Sequence, residues 1–67
     1  MSRYTIEYRA PRVTKWRALS VSALAPFPES ELAAYRQQIG EALTRIRGVA
    51  VMADMVRTRV LCDGKPI

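Results

Sequence analysis

The chain has 67 residues with eleven lysines and arginines against six acidic residues, one cysteine and no histidine, for a net charge of +5. That size allows one domain, spanning residues 1 to 67, which buries only about 60% of its unfolded surface, while an apolar fraction of 49% argues against disorder. Without histidine, Ser-His and Cys-His nucleophile pairs are impossible. One cysteine and scattered carboxylates offer no ligand set for zinc or iron. No cofactor is expected and the composition argues against an enzyme.

Charge is unevenly placed. Residues 1 to 25 carry +4, residues 26 to 47 carry zero and residues 48 to 67 carry +1. Nine of the basic residues are arginine, which coding bias also produces, so a binding patch and ordinary solvation both remain open.

Taken in chain order, Tyr4, Ile6 and Tyr8 alternate with Arg3, Thr5, Glu7 and Arg9, the period-two signature of a half-buried strand. A loop of four to six residues containing Pro11 leads into a second alternation. There Leu19, Val21 and Ala23 share one face, and Trp16, Ala18, Ser20 and Ser22 the other. The two strands are expected to form a hairpin with Arg12 and Lys15 at its tip.

Pro26 and Pro28 stop the second strand, and Pro28 followed by Glu29 and Glu31 suits a helix start. The helix is predicted over 28 to 47 with Leu32, Tyr35, Ile39, Ala42, Leu43 and Ile46 as its apolar stripe. Gly48 fits the C-terminal cap and Arg45 and Arg47 the carbonyl end. Gly40, in mid-helix, should cost about 1 kcal/mol relative to alanine, implying close packing or simple tolerance.

From Val49 to Cys62 the chain is β-branched and apolar, but the core-facing parity changes from Val49, Val51 and Ala53 to Val56, Val60 and Cys62. An unbroken strand there would span roughly 46 Å, too long for a domain whose radius of gyration should be about 11 Å. A bulge or turn at Ala53 to Met55, with two shorter strands, is therefore expected. Asp63-Gly64 marks a tight turn, after which Lys65-Pro66-Ile67 can add only a stub of edge strand. The fold class is α+β: an antiparallel β-β-α-β sheet, with a fourth short strand as the alternative, one helix on one face and the other face open.

No stretch approaches the roughly 20 apolar residues that cross a bilayer. The first residues lack a signal peptide's apolar core and Cys62 cannot form an internal disulfide, so a cytoplasmic location is expected. Cys62 reads as a small buried hydrophobe. Tyr4, Tyr8 and Tyr35 read as core rather than binding residues.

What remains is Trp16 flanked by Lys15 and Arg17, with Arg12 nearby, Arg9 across the hairpin, and Arg57 and Arg59 on a later strand. Tryptophan beside arginine occurs at protein hot spots and on single-stranded nucleic-acid platforms. It also occurs as an internal cation-π contact with no ligand.

With its opening Tyr4-Thr5-Ile6-Glu7-Tyr8-Arg9 and later Trp16-Arg17-Ala18, the chain resembles small accessory proteins of phages and mobile elements, whose best-known members are the anti-CRISPR inhibitors. The likeness rests on size, element order and charge and carries no functional residue across. It implies stoichiometric inhibition by occupying a surface on a bacterial nuclease complex. The basic balance departs from the acidic DNA-mimic pattern, so the target would present an acidic patch or nucleic acid.

Two readings follow. In the first, Arg9, Arg12, Lys15, Trp16, Arg17, Arg57 and Arg59 dock a non-enzymatic inhibitor on a larger bacterial protein or ribonucleoprotein complex. In the second, the same residues hold DNA or RNA without reading its sequence, since the strands lack the paired aromatic motifs of an RNA-recognition domain. A homodimer pairing sheet edges is compatible with either, and no membrane partner is expected.

Overall fold

A computed structural model describes all 67 residues. The chain forms β1 (Tyr4–Arg9), β2 (Arg17–Ala23), α1 (Glu29–Arg47), a 3-10 turn (Ala53–Met55), β3 (Arg57–Cys62) and β4 (Lys65–Pro66). The four strands make one antiparallel sheet in the order β2-β1-β3-β4. The α+β class and the fourth short strand are therefore both present.

Strand alternation decides which side chains meet the helix. Tyr4, Ile6 and Tyr8 lie beside Cys62, Val60 and Thr58 of β3, and the same face of β2 carries Arg17, Leu19, Val21 and Ala23. The opposite, open face carries Thr5, Glu7 and Arg9 with Leu61, Arg59 and Arg57. Between Thr5 and Glu7 the partner on β2 moves from Ser22 to Ala18, an irregularity that adds two residues to β2 and so keeps its parity. Leu61, flanked in the ladder by Thr5 and Pro66, is the one buried residue on the open face.

The helix runs from a Pro28 cap to Gly48, whose φ of 73° is the left-handed value a glycine supplies without strain. The Gly48 amide donates to the Thr44 carbonyl at 2.9 Å. The core is small: Ile39, Val51 and Val56 form its centre with Tyr8, Leu19 and Leu43 packed around them, and Ile6 is fully buried in the sheet. Tyr4 and Tyr35 are half-buried, and Tyr35 meets Phe27 edge-on at 6.3 Å. At a radius of gyration of 12.2 Å and a long axis of 41 Å, the fold is more extended than the about 11 Å expected for this length.

Three expectations need correction. Val49–Met52 forms no strand; its backbone runs along α1 instead. There the Thr44 hydroxyl donates to the Gly40 carbonyl at 2.8 Å and accepts the Val51 amide at 2.9 Å. A β-carbon on Gly40 would lie 2.8 Å from the Val51 carbonyl oxygen, so this glycine is a contact point between two backbones. Ile46, the last member of the predicted stripe, is 79% exposed, because it lines an open groove beside Tyr8 and Leu43 instead of packing on the core. The hairpin loop runs from 10 to 16, longer than expected, because Trp16 leaves the ladder to pack on side chains of the open face. The chain break at Ala53–Met55 stands where the parity change placed it.

Candidate functional site

The open face is organised around Trp16. The register that pairs Tyr8 with Arg17 sets Trp16 beside Arg9, and the Arg9 guanidinium carbon lies 5.3 Å from the indole centroid. Arg59 reaches the same ring from β3, at 4.4 Å. Its Nε donates to a Glu7 oxygen at 2.8 Å, and its Nη2 lies 2.6 Å from the same oxygen in an ion pair. Glu7 and Arg59 are direct cross-strand partners, so the ladder holds this ion pair in place. Arg59 is thus neutralised and stacked, and it braces the indole.

Arg9, Arg12 and Arg57 have no carboxylate within ion-pair distance. Together with Pro11, Thr14 and Met55 they line a cleft of about 370 Å³ at the hairpin end of the sheet. Arg9 and Arg57 stand directly opposite each other on β1 and β3, a like-charge pair that disfavours the fold by a few tenths of a kcal/mol to about 1 kcal/mol.

Arg12 reaches the cleft from a strained turn. The Val13 amide donates to the Ala10 carbonyl at 3.1 Å, closing a four-residue turn with Pro11 second and Arg12 third. Arg12 has φ 64°, the sign a type II turn requires at its third position, where glycine is preferred. The left-handed conformation costs a side-chain-bearing residue roughly 1 to 2 kcal/mol. Strain kept at an unpaired cation is the kind of outlier that points toward function.

The structure divides the seven basic and aromatic candidates. Arg9, Arg12, Trp16, Arg57 and Arg59 share the open face and its hairpin end. Lys15 and Arg17 lie on the helix side, in a groove with Leu43 and Arg47. The grouping of Lys15 and Arg17 with Trp16 therefore does not hold in space: Arg17 faces the helix by strand alternation, while the loop turns Lys15 to that side and Trp16 to the other. Arg47 joins that second group and donates to the Pro11 carbonyl at 3.1 Å, tying the helix end to the hairpin. In the sequence Arg47 reads only as a helix-end cation, and no local pattern marks its reach to the loop.

At the far end of the sheet Cys62 is half-buried and next to Tyr4. The neighbouring Cys62 side chain, through its polar contact and then its thiolate charge, holds the Tyr4 phenol above its ordinary pKa, with desolvation and the Asp63 charge adding to the rise. No group of three or more carboxylate or cysteine side chains comes together to hold a metal ion. No helix is long and apolar enough to cross a membrane. No family model, curated protein or solved structure matches the chain, so the site rests on its own residues.

Proposed function

We propose that the protein is a non-enzymatic binding module that docks the open sheet face on an anionic surface of a larger assembly. The observation that supports this most strongly is the convergence of Arg9, Arg12 and Arg57 on one cleft without an acidic partner. One of the three is held there by an unfavourable backbone conformation. Arginine and tryptophan are the residues that dominate protein hot spots. An acidic patch on a bacterial nucleic-acid-processing complex, occupied stoichiometrically, is the partner that the phage-protein resemblance implies.

A second reading is nucleic-acid binding without sequence preference, and the three unpaired guanidiniums favour it because successive phosphates would neutralise them. Against it stands Trp16, whose ring is already flanked by Arg9 and Arg59 and therefore offers bases a poor stacking platform.

Fluorescence anisotropy with single- and double-stranded oligonucleotides over a salt series separates the two, alongside a binding and inhibition titration against purified bacterial nuclease complexes. The protein-docking reading expects a stoichiometric complex that Trp16→Ala and Arg12→Gln each weaken, with no oligonucleotide affinity near physiological salt. Micromolar oligonucleotide binding whose salt slope drops by about one unit in Arg12→Gln would replace it with the second reading.

A further inference from the structure

On the side of the sheet away from Trp16, the hairpin and the last turns of α1 enclose a groove of about 300 Å³. Its floor is apolar: Tyr8, Val13, Leu43 and Ile46. Tyr8 and Leu43 also pack on the buried core, which fixes the floor, whereas Ile46 is 79% exposed and has no cover. Lys15, Arg17 and Arg47 stand around this floor, and no carboxylate lines it. Only Arg47 among the three has a partner in the fold, the Pro11 carbonyl.

We infer that this groove is a second docking surface, for a segment of a partner protein in which carboxylates flank a bulky apolar side chain. The apolar floor gives a phosphate backbone nothing to bury against, and the cations reject a basic or purely apolar segment. The volume suits one or two inserted side chains, since it lies at the lower end of ligand-site sizes. Three of the chain's own six side-chain carboxylates are already engaged. Glu7 is bound to Arg59, Glu29 to Arg36, and Asp63 accepts the Arg3 amide at 2.9 Å. This surface is separate from the one proposed to dock through Trp16, so either can fail without the other.

The test is an amide NMR titration of the labelled protein with a short synthetic peptide of leucines among glutamates, compared with the same peptide carrying lysine for glutamate. Saturable shifts confined to the groove around Tyr8, Val13, Leu43 and Ile46 are expected with the acidic peptide alone. Ile46→Ser should weaken binding about tenfold or more. Because Ile46 is exposed the variant should keep the parent spectrum elsewhere, and Arg17→Glu gives a second route to the same loss. Trp16→Ala should leave the peptide affinity unchanged. Equal response to the lysine peptide, shifts centred elsewhere, or full affinity in Ile46→Ser would overturn the assignment. Shifts that follow protein concentration without peptide would give the groove to a second copy of the chain and overturn it too.

Discussion

Arg9 and Arg57 face each other directly across β1 and β3 with no carboxylate to separate their charges. The fold carries this repulsion at the mouth of the cleft, and the cost falls when an anion is present. Arg57→Gln should therefore raise stability by about 0.5 kcal/mol at low salt, equivalent to a few degrees in Tm for a domain of this size. The gain should shrink as salt screens the pair. Thermal unfolding at two ionic strengths measures it, and a loss of stability in the variant would show that Arg57 is compensated in some other way.

Arg12 makes a parallel case through the backbone. Arg12→Gly removes the β-carbon from a position with φ 64° and should stabilise the fold by up to about 1 kcal/mol, the relief of strain being partly offset by glycine's greater freedom in the unfolded chain. Denaturant midpoints of Arg12→Gly and Arg12→Ala separate the backbone effect from loss of charge, since only glycine relieves the strain. Partner affinity should fall in both.

Gly40 and Thr44 together hold the segment after α1. Gly40→Ala places a methyl group 2.8 Å from the Val51 carbonyl oxygen and should cost about 1 to 3 kcal/mol, outweighing alanine's better helix propensity of about 1 kcal/mol or less. An increase in stability in urea unfolding would mean that the segment moves aside freely.

Thr44→Val keeps the shape but leaves the Val51 amide without its acceptor, and should cost about 1 to 3 kcal/mol. Faster hydrogen exchange at that amide than at the β1 and β3 ladder amides is the local readout.

The Tyr4 phenol, held above its ordinary pKa by Cys62, should titrate at higher pH than free tyrosine. Cys62→Ala should lower it most of the way, leaving the smaller rise from desolvation and Asp63. The sign follows from linkage: a group whose folded pKa is raised contributes stability fully below the unfolded value of about 10, and that stability is lost as pH rises through the folded pKa. Ultraviolet difference titration checks the shift, and an unchanged midpoint in Cys62→Ala would rule out this cause.

Much of this architecture is legible in the residues. Tyr4, Ile6 and Tyr8 announce β1 by alternation, Pro28 and Gly48 bracket α1, and Asp63-Gly64 marks a turn whose two residues have φ of 52° and 83°. The segment Val49–Met52 is misread because its β-branched residues would suit a strand, while its actual hydrogen-bond partners belong to α1. Ile46 has the right spacing for the core, but spacing along a helix says nothing of whether the groove it lines with Tyr8 and Arg17 is filled. For the site, Trp16, Arg9, Arg57 and Arg59 are found by composition and strand parity. The strain at Arg12 is hidden because arginine carries no left-handed signature, and adjacency in sequence conceals that Lys15 and Arg17 belong to the other side.

The brace formed by Glu7, Arg59 and Trp16 exists before any partner arrives. Long, freely rotating side chains normally forfeit about 0.5 to 1.5 kcal/mol each when an interface immobilises them. For Arg59 that ordering has been completed during folding, so under the proposed docking this one arginine would meet a target with its rotamer freedom already surrendered. Glu7→Gln would return part of that freedom to Arg59 while leaving Arg9, Arg12 and Arg57 unchanged. Its effect would be felt as a weaker complex from an otherwise intact binding face.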